Sequence, residues 1–340
     1  MRPRRAPSPE PEQESAAGGT FSVVVAAWSL DAKGDLEACL AALERQTLAP
    51  RELIVVIDHN PELAAWAQEA LPNATVLESR HERGVVGARN TGFEQAGGAI
   101  LAFTDDDAVP DPDWLENLAA AFVDEGTIGV GGKLVPDWRG PEPRWYPPEL
   151  YWVFGCSYRG LPTELAPIRN PIGANMAVRR EALEAVGGFS AGAVPRELKQ
   201  GGAILSGGHS LDDTRLGIAV SRAFPGSHWM HQPAARVRHK VVPGRATFRY
   251  LLIRCFEEGE GKAALATLVG AESGLSSERR HLLVTVPSGF LRGFADLLRG
   301  DRWGPARSLA LLAGVATTAA GFLVASLRRH LPRDPSSGRA

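Results

Sequence analysis

Hydrophobic residues in the N-terminal part of the chain follow two alternating rhythms. Phe21 to Ala27 (FSVVVAA) is a short apolar run with consecutive valines behind a Gly-Gly pair, the pattern of a strand buried on both faces. Leu36, Leu40 and Leu43 then recur at helical spacing, and the run stops before Pro50. The same alternation continues with a strand at Leu53 to Ile57 closing on Asp58, a helix over Glu62 to Ala70 and a strand at Thr75 to Leu77. A helix over Val86 to Gln95 and a strand at Ile100 to Thr104 follow. Such alternation predicts a parallel sheet with helices on both faces. Ligands of these sheets bind beyond the carboxyl ends of the strands. That rule gathers Trp28, Ser29, Asp58 and Asp105 to Asp107 on one edge.

Beyond Thr104 the rhythm loosens. Asp111 to Leu118 reads as a helix, and the stretch holding Pro136, Trp138, Pro141, Pro143, Trp145, Pro147 and Pro148 is expected to be ordered loop. A strand at Ala174 to Val178 runs into a helix at Arg180 to Ala185 closed by Gly187-Gly188. Gly201 to Gly208 is expected to be mobile. A helix at Asp212 to Ala223 precedes a strand at Ala235 to Val241, and from Thr247 onward the pattern is helical, without an internal repeat.

Composition narrows this only a little. The 340 residues can hold one large α/β domain with an appendage. A net charge of -2 supplies no basic field for nucleic acid. Cys39, Cys156 and Cys255 are too far apart for a zinc knuckle or a redox pair and read as reduced thiols. Residues 1–20 carry Arg2, Arg4 and Arg5, then Pro, Ser and Glu, without the apolar core of a signal peptide. They are expected to be disordered, as is 332–340, and the chain is expected to be cytoplasmic.

Asp105-Asp106-Asp107 ends an apolar strand, where adjacent carboxylates repel one another unless a cation holds them. Hard oxygen ligands suit Mg²⁺ or Mn²⁺, which would neutralise a diphosphate. Acids also cap helices, but Asp111 and Asp113 already serve the helix downstream. In Arg83 to Gly92 (RGVVGARNTG), glycines surround a helix start whose first turn carries Arg89, a geometry able to meet phosphate oxygens.

Taken in order, VVVAAWS at Val23 to Ser29, VVID at Val55 to Asp58, GVVGARNTG at Gly84 to Gly92 and FTDDDAVPDPDWL at Phe103 to Leu115 resemble family-2 glycosyltransferases of the GT-A fold. IGANMAVRREALEAVGGF at Ile172 to Phe189 resembles the family's acceptor-side strand and helix, which includes Asn175. LDDTRLGIAV at Leu211 to Val220 resembles its general-base motif, and the likeness covers Phe21 to Val241.

The resemblance implies an α/β fold with a Rossmann-like mixed sheet over 21–246, followed by a helical region over 247–331. It implies that Trp28 stacks on the base, that Asp58 bonds the base or ribose, with Ser29 beside them, and that Asp105 contacts the ribose. Asp107 would hold the metal, Asp106 would support either role, and Arg89 would meet the diphosphate. Asp213 would take the acceptor hydroxyl's proton, with Asp212 in the acidic position before it. His239 resembles a histidine that completes the metal shell, with His231 nearby as a competitor. The chain departs from the pattern at Arg215, usually acidic, at Ala219, often Arg, and at Ser29, often Asn or Thr. Arg215 points to an acceptor bearing an anionic group.

Ser308 to Leu327 carries no formal charge and is long enough, as a helix of about 30 Å, to cross a bilayer. Its Ala, Gly, Ser and Thr content makes insertion weakly driven, and a single crossing would put Arg328, Arg329, Arg333 and Arg339 outside. The upstream Leu282 to Leu298 reads as interfacial. The expected activity is thus an inverting hexosyl-type transfer from a nucleotide sugar, a UDP-sugar ahead of a GDP- or dTDP-sugar. The acceptor would be lipid-linked or a cell-envelope precursor, met at the inner face of the membrane by a peripheral enzyme. The rival readings are a nucleotidyltransferase, disfavoured because no Gly-rich loop with a following Lys succeeds the first strand, and a non-catalytic sugar-nucleotide-binding or scaffold protein.

Overall fold

The computed structural model describes residues 19–190, 211–269 and 281–330. Of the stretch expected to be disordered at 1–20, residues 1–18 lie outside these residues, as do 332–340 and the glycine-rich stretch Gly201 to Gly208. Strand β1 (Phe21–Ala27) lies between β2 (Glu52–Ile57) and β4 (Ile100–Asp105), with β3 (Thr75–Glu78) outside β2, all parallel. Beyond β4 come β8 (Asn175–Arg179), antiparallel to it, then β6 (Thr127–Trp138) and β9 (His228–Val241), which run parallel to each other. Two short strands, β5 (Ala108–Pro110) and β7 (Ala166–Ile168), pair antiparallel with β9.

The result is a nine-stranded sheet of order β3-β2-β1-β4-β8-β6-β9-β5, with β7 on β9. The parallel expectation holds for β1 to β4 and is corrected beyond them, where the sheet is mixed, as the GT-A resemblance implies. The reason is connectivity: β4 turns directly into β5, and β8 is reached only after a long excursion. Neither connection is the helical crossover that parallel neighbours require.

Both sheet faces are covered, which is why the strands read as continuous apolar runs. Val23, Val25, Val55 and Ile57 face one core, with Leu36 and Leu40 of α1 (Lys33–Leu43), Leu63 of α2 (Pro61–Ala70) and Trp114 of α4 (Trp114–Ala120). Val24, Ile54, Val56 and Phe103 face the other, with Ala88 of α3 (Val85–Gln95), Leu183 of α5 (Arg180–Val186) and Leu216 of α6 (Asp212–Ala223).

Two long strands differ from expectation. β6 is masked in the sequence by Gly129, Gly131, Gly132 and Pro136, residues that weaken strands in general. Here the missing side chains make room: a Cβ on Gly129 would run into the Trp229 ring, and one on Gly132 into the Ala235 carbonyl and the Asn175 amide. β9 starts at His228, earlier than the expected Ala235, and a register irregularity against β6 between Gly132 and Lys133 breaks its period-2 pattern. The stretch expected as loop is divided between the end of β6 and a tight helical turn at Pro148–Phe154, where Tyr146 and Phe154 pack with ring centroids 4.5 Å apart.

The C-terminal helices are α7 (Phe248–Val269), α8 (Val286–Leu298) and α9 (Gly304–His330). Leu251, Cys255, Val286, Ala310 and Leu311 bury themselves in the same core as α1 and Trp114.

Candidate active site

Asp105 closes β4, Asp106 and Asp107 turn the chain, and β5 runs back against β9 with Ala108 opposite His239. The Lys240 N–H donates to the Asp107 carbonyl at 3.0 Å, which locks this register. The pairing brings Asp107 Oδ1 to 3.2 Å from His239 Nε2. With Asp105 added, the potential ligand atoms all lie within 4.8 Å of one another. Two carboxylates and one imidazole make a donor set suited to Mn²⁺ or Mg²⁺. Burial works against a charged His239, but the hydrogen bond to Asp107, backed by Cys156, carries its pKa well above the usual histidine range. Burial likewise works against a charged Asp107, yet His239, Arg245 and Lys240 hold its carboxyl below the usual range. A deprotonated carboxylate against a histidine that holds a proton is a place where a divalent cation can take the proton's position.

Asp106 faces the other way. Its side chain is buried, its Oδ2 has no hydrogen-bond partner, and burial, then the charges of Asp107 and Asp105, push its pKa up to about 8. Its neighbourhood is α1, where burial and then Asp106 raise the Cys39 thiol and where Lys240 Nζ donates to Asp35. Asp106, expected to support the donor or the metal, has its carboxyl turned into the protein under α1.

Arg89 is the hinge between two acidic groups. From the first turns of α3 its buried guanidinium donates to Asp105 Oδ1 at 3.0 Å and to Asp212 Oδ2 at 2.8 Å. Burial would lower its pKa, but the carboxylates of Asp105 and Asp212 raise it. The guanidinium is 5% exposed and bridges the two carboxylates. Next to Asp212, Asp213 accepts from the Thr214 N–H at 2.5 Å and the Gly173 N–H at 3.3 Å. Burial, and then the charge of Asp212, raise the Asp213 pKa to about 7. A carboxylate with that pKa can accept a proton near neutral pH.

At the ends of β1 and β2, Trp28 is 57% exposed and its carbonyl accepts from Asn60 Nδ2 at 3.1 Å. Ser29 caps the short turn Leu30–Ala32, its Oγ accepting from Asp31 N. Asp58 accepts from the Gly84 N–H at 2.9 Å, joining β2 to the start of α3, where Gly84 has φ +129°. An L side chain rarely adopts that conformation, so the glycine is required there. Asp58 also contacts His59 Nδ1 at 2.7 Å, and His59 itself has φ 51°.

Asn175, expected on the acceptor side, is a fastener among four elements. Its fully buried amide accepts from Trp114 Nε1 at 2.8 Å and donates to the carbonyls of Lys133 and Ala235, joining α4, β6, β8 and β9. On β9, His231 is outside the acidic cluster that His239 joins, and burial pushes its pKa down to about 4.

The geometry is matched by kinship. The model of glycosyl transferase family 2 fits residues 22–187. A glucosyl-dolichyl phosphate glucuronosyltransferase of Haloferax volcanii is 30% identical over 251 residues, which cover 73% of this chain and 77% of that protein. The chain belongs to glycosyl transferase family 2. A second Haloferax volcanii protein, the glycosyltransferase AglE, is 34% identical to this family-2 enzyme over 106 residues, 29% of this chain and 35% of the relative. A mannosyltransferase from Pyrobaculum calidifontis, solved with GDP-Man and Mn²⁺, shares its fold. The TM-score is 0.54 at 19% identity, over 93% of this chain and 91% of that one.

Sequence reasoning about this family-2 transferase missed the residues that support the site. Cys156 Sγ lies 3.8 Å from His239 Nδ1, and Gly173 leaves room for the Arg89 guanidinium, which a Cβ there would meet at 2.6 Å. Neither carries a motif. Cys156 could be found only by knowing that the Pro148–Phe154 turn returns to β9.

Proposed function

We propose that this glycosyltransferase moves a sugar from a nucleoside-diphosphate sugar to an acceptor hydroxyl in one displacement that inverts the anomeric centre. One observation carries the reading: Arg89 ties Asp105, on the donor edge, to Asp212, whose neighbour Asp213 has a pKa of about 7. In this mechanism Trp28 stacks on the base, Asp58 and Asp105 bond the base and ribose, and Ser29 shapes the loop beneath. Asp105, Asp107 and His239 hold Mg²⁺ or Mn²⁺, which supplies positive charge to the departing diphosphate. The Asp213 carboxylate takes the acceptor's proton as the acceptor oxygen bonds to the anomeric carbon and the bond to the diphosphate breaks. Arg89 holds Asp212 in place beside Asp213, whose basicity the neighbouring carboxylate maintains.

The acceptor proposed is a lipid-linked phosphosugar, supported by the name of the Haloferax volcanii relative, which describes a glucosyl-dolichyl phosphate substrate. Arg215, half-buried in the first turns of α6 and without an ion pair among the described residues, is suited to an anionic group on that acceptor. The donor proposed is a UDP-sugar ahead of GDP- or dTDP-sugars, and the enzyme would work at the inner face of the cell membrane.

The test is incubation with each nucleotide sugar, Mn²⁺ or Mg²⁺, and a polyprenyl-phosphate-linked glucose, with the product's anomeric configuration read by NMR. Inversion, with turnover lost in Asp213→Asn while donor binding persists, is expected. Retention of configuration would overturn the single displacement.

A further inference from the structure

The surface of α8 and α9 carries an apolar face that the catalytic domain leaves uncovered. On α9 the outward residues are Leu309, Leu312, Ala316, Ala320, Leu323 and Leu327, with no charged or amide side chain among them. They extend over about 27 Å at the helical rise. Just before the preceding helix and along it, Val284, Leu291, Phe294 and Leu298 recur at heptad-like spacing and are all exposed, Leu298 at 89%. Cations bracket these stripes. Arg299 and Arg302 lie at the α8–α9 junction, Arg302 over the Trp303 ring at 5.6 Å, and the largely exposed Arg328 lies near the far end of α9.

The inner face of α9 fixes how such a surface can meet a membrane. The Gly-containing 304–328 segment is the one described helix long and apolar enough to cross a bilayer. It is nevertheless committed to the protein. Ala310 and Leu311 sit in the main core, Gly314 abuts Leu150, and Arg307 is bonded to Asp296 and Asp301. Along its second half the backbones of α7 and α9 touch where Gly259 meets Thr318 and Gly321 meets Phe256. In that part α7 carries the ion pairs Arg254–Glu257 and Lys262–Glu258, and Glu260 reaches Arg328. A crossing would either strip α9 from the core or carry these charges into hydrocarbon, and both are strongly unfavourable.

We infer that α8 and α9 form a monotopic dock: the hairpin lies in the plane of an anionic bilayer, its leucine and phenylalanine stripes in the headgroup–acyl boundary and its arginines against lipid phosphates. The dock is rigidly tied to the catalytic domain. Glu149, buried at the start of the Pro148–Phe154 turn, bonds Arg292 of α8 at 3.1 Å and Arg159 at 3.3 Å. The same turn ends beside Gly155, where a Cβ would lie 3.4 Å from the His239 ring. The bilayer is thereby held at a fixed orientation to the metal-ligating cluster. This inference rests on the membrane-surface part of the proposed function and is independent of its chemistry.

The experiment is vesicle co-sedimentation of the full chain with phosphatidylcholine alone or mixed with phosphatidylglycerol, then alkaline carbonate extraction. Nucleotide-sugar hydrolysis is measured separately without vesicles and reports on the chemistry alone. Binding to the anionic vesicles, weakened by salt and released by carbonate, is expected. Leu291→Glu with Phe294→Glu should lower partitioning at least about tenfold, with circular dichroism and vesicle-free hydrolysis unchanged. Carbonate-resistant retention would mean a span and overturn the dock, as would failure of the wild type to bind either vesicle or unchanged binding by the variant. A dimer seen by ultracentrifugation and dissolved by the same substitutions would assign the face to a second copy of the chain and overturn it as well.

Discussion

The molecule holds two acidic groups at one sheet edge, and their environments push them in opposite directions. At the end of β4, Asp107 meets His239 and is held ionised against its burial. At the start of α6, Asp213 has Asp212 as its neighbour and is raised to about 7. Residue type is the same in both places, so the difference comes from the partner: an imidazole in one case, a second carboxylate in the other. One cluster thus suits a cation and the other a proton, and Arg89 spans the two. A short chain of charge-assisted bonds keeps tasks that would interfere with one another apart.

The most severe way to break this division is to remove the proposed proton acceptor. Asp213→Asn should lower kcat by about 10²–10⁴-fold while leaving donor and Mn²⁺ binding in place, as checked by steady-state kinetics beside calorimetry. The same substitution sharpens the electrostatic assignment. The folded pKa of Asp213, about 7, is above the 3.8 of an ordinary aspartate, so the folded state binds the extra proton between these values and the group's contribution to stability declines as pH rises through that window. Asp213→Asn should therefore raise Tm relative to wild type at pH 8 more than at pH 4. An equal shift at both would mean that Asp213 is not held protonated by its surroundings.

The bridge comes next. Arg89→Ala leaves Asp212 buried without its cation and should cost about 3–5 kcal/mol in denaturant unfolding. Arg89→Lys, which cannot reach two carboxylates with one planar fork, should restore only part of that. Full rescue by Lys would show that charge alone suffices and that the two acidic groups are not geometrically coupled.

The metal side should respond more selectively. His239→Ala should weaken Mn²⁺ binding, read by calorimetry, by at least about tenfold with little change in nucleotide affinity measured without metal. Loss of nucleotide affinity in that metal-free measurement would show that the two are inseparable.

The smallest effect belongs to Arg215. Arg215→Ala should raise KM for a phosphorylated acceptor by about tenfold, the value of a partly exposed charge-assisted bond, and leave KM for the donor unchanged. An unchanged acceptor KM would remove the anionic-acceptor reading.

The half of the sheet legible in the sequence is the half whose strands are separated by helices. Val23 to Ala27 and Leu53 to Ile57 are apolar on both faces because helices lie on both sides, and a reader needs no long-range information to find them. β6 and β9 were obscured because their glycines and the register irregularity answer to partners far away in sequence, among them Trp229 for Gly129 and Ala235 for Gly132. The site divides in the same way. Asp58, Asp105 and Asp107 follow from strand ends, whereas His239 joins them only through the β5–β9 pairing. The inward direction of the Asp106 and Asn175 side chains was not legible, because their types suit ligand chemistry and only the packing around them shows which way they point.

The inward turn of Asp106 bears on how far the acidic run can vary. A tight turn that sends Asp105 and Asp107 outward must send the residue between them under α1, beside Cys39 and Asp35. The middle side chain then has only the space beneath the helix to fit. A small neutral residue in its place should therefore leave the interval between the outer acids unchanged.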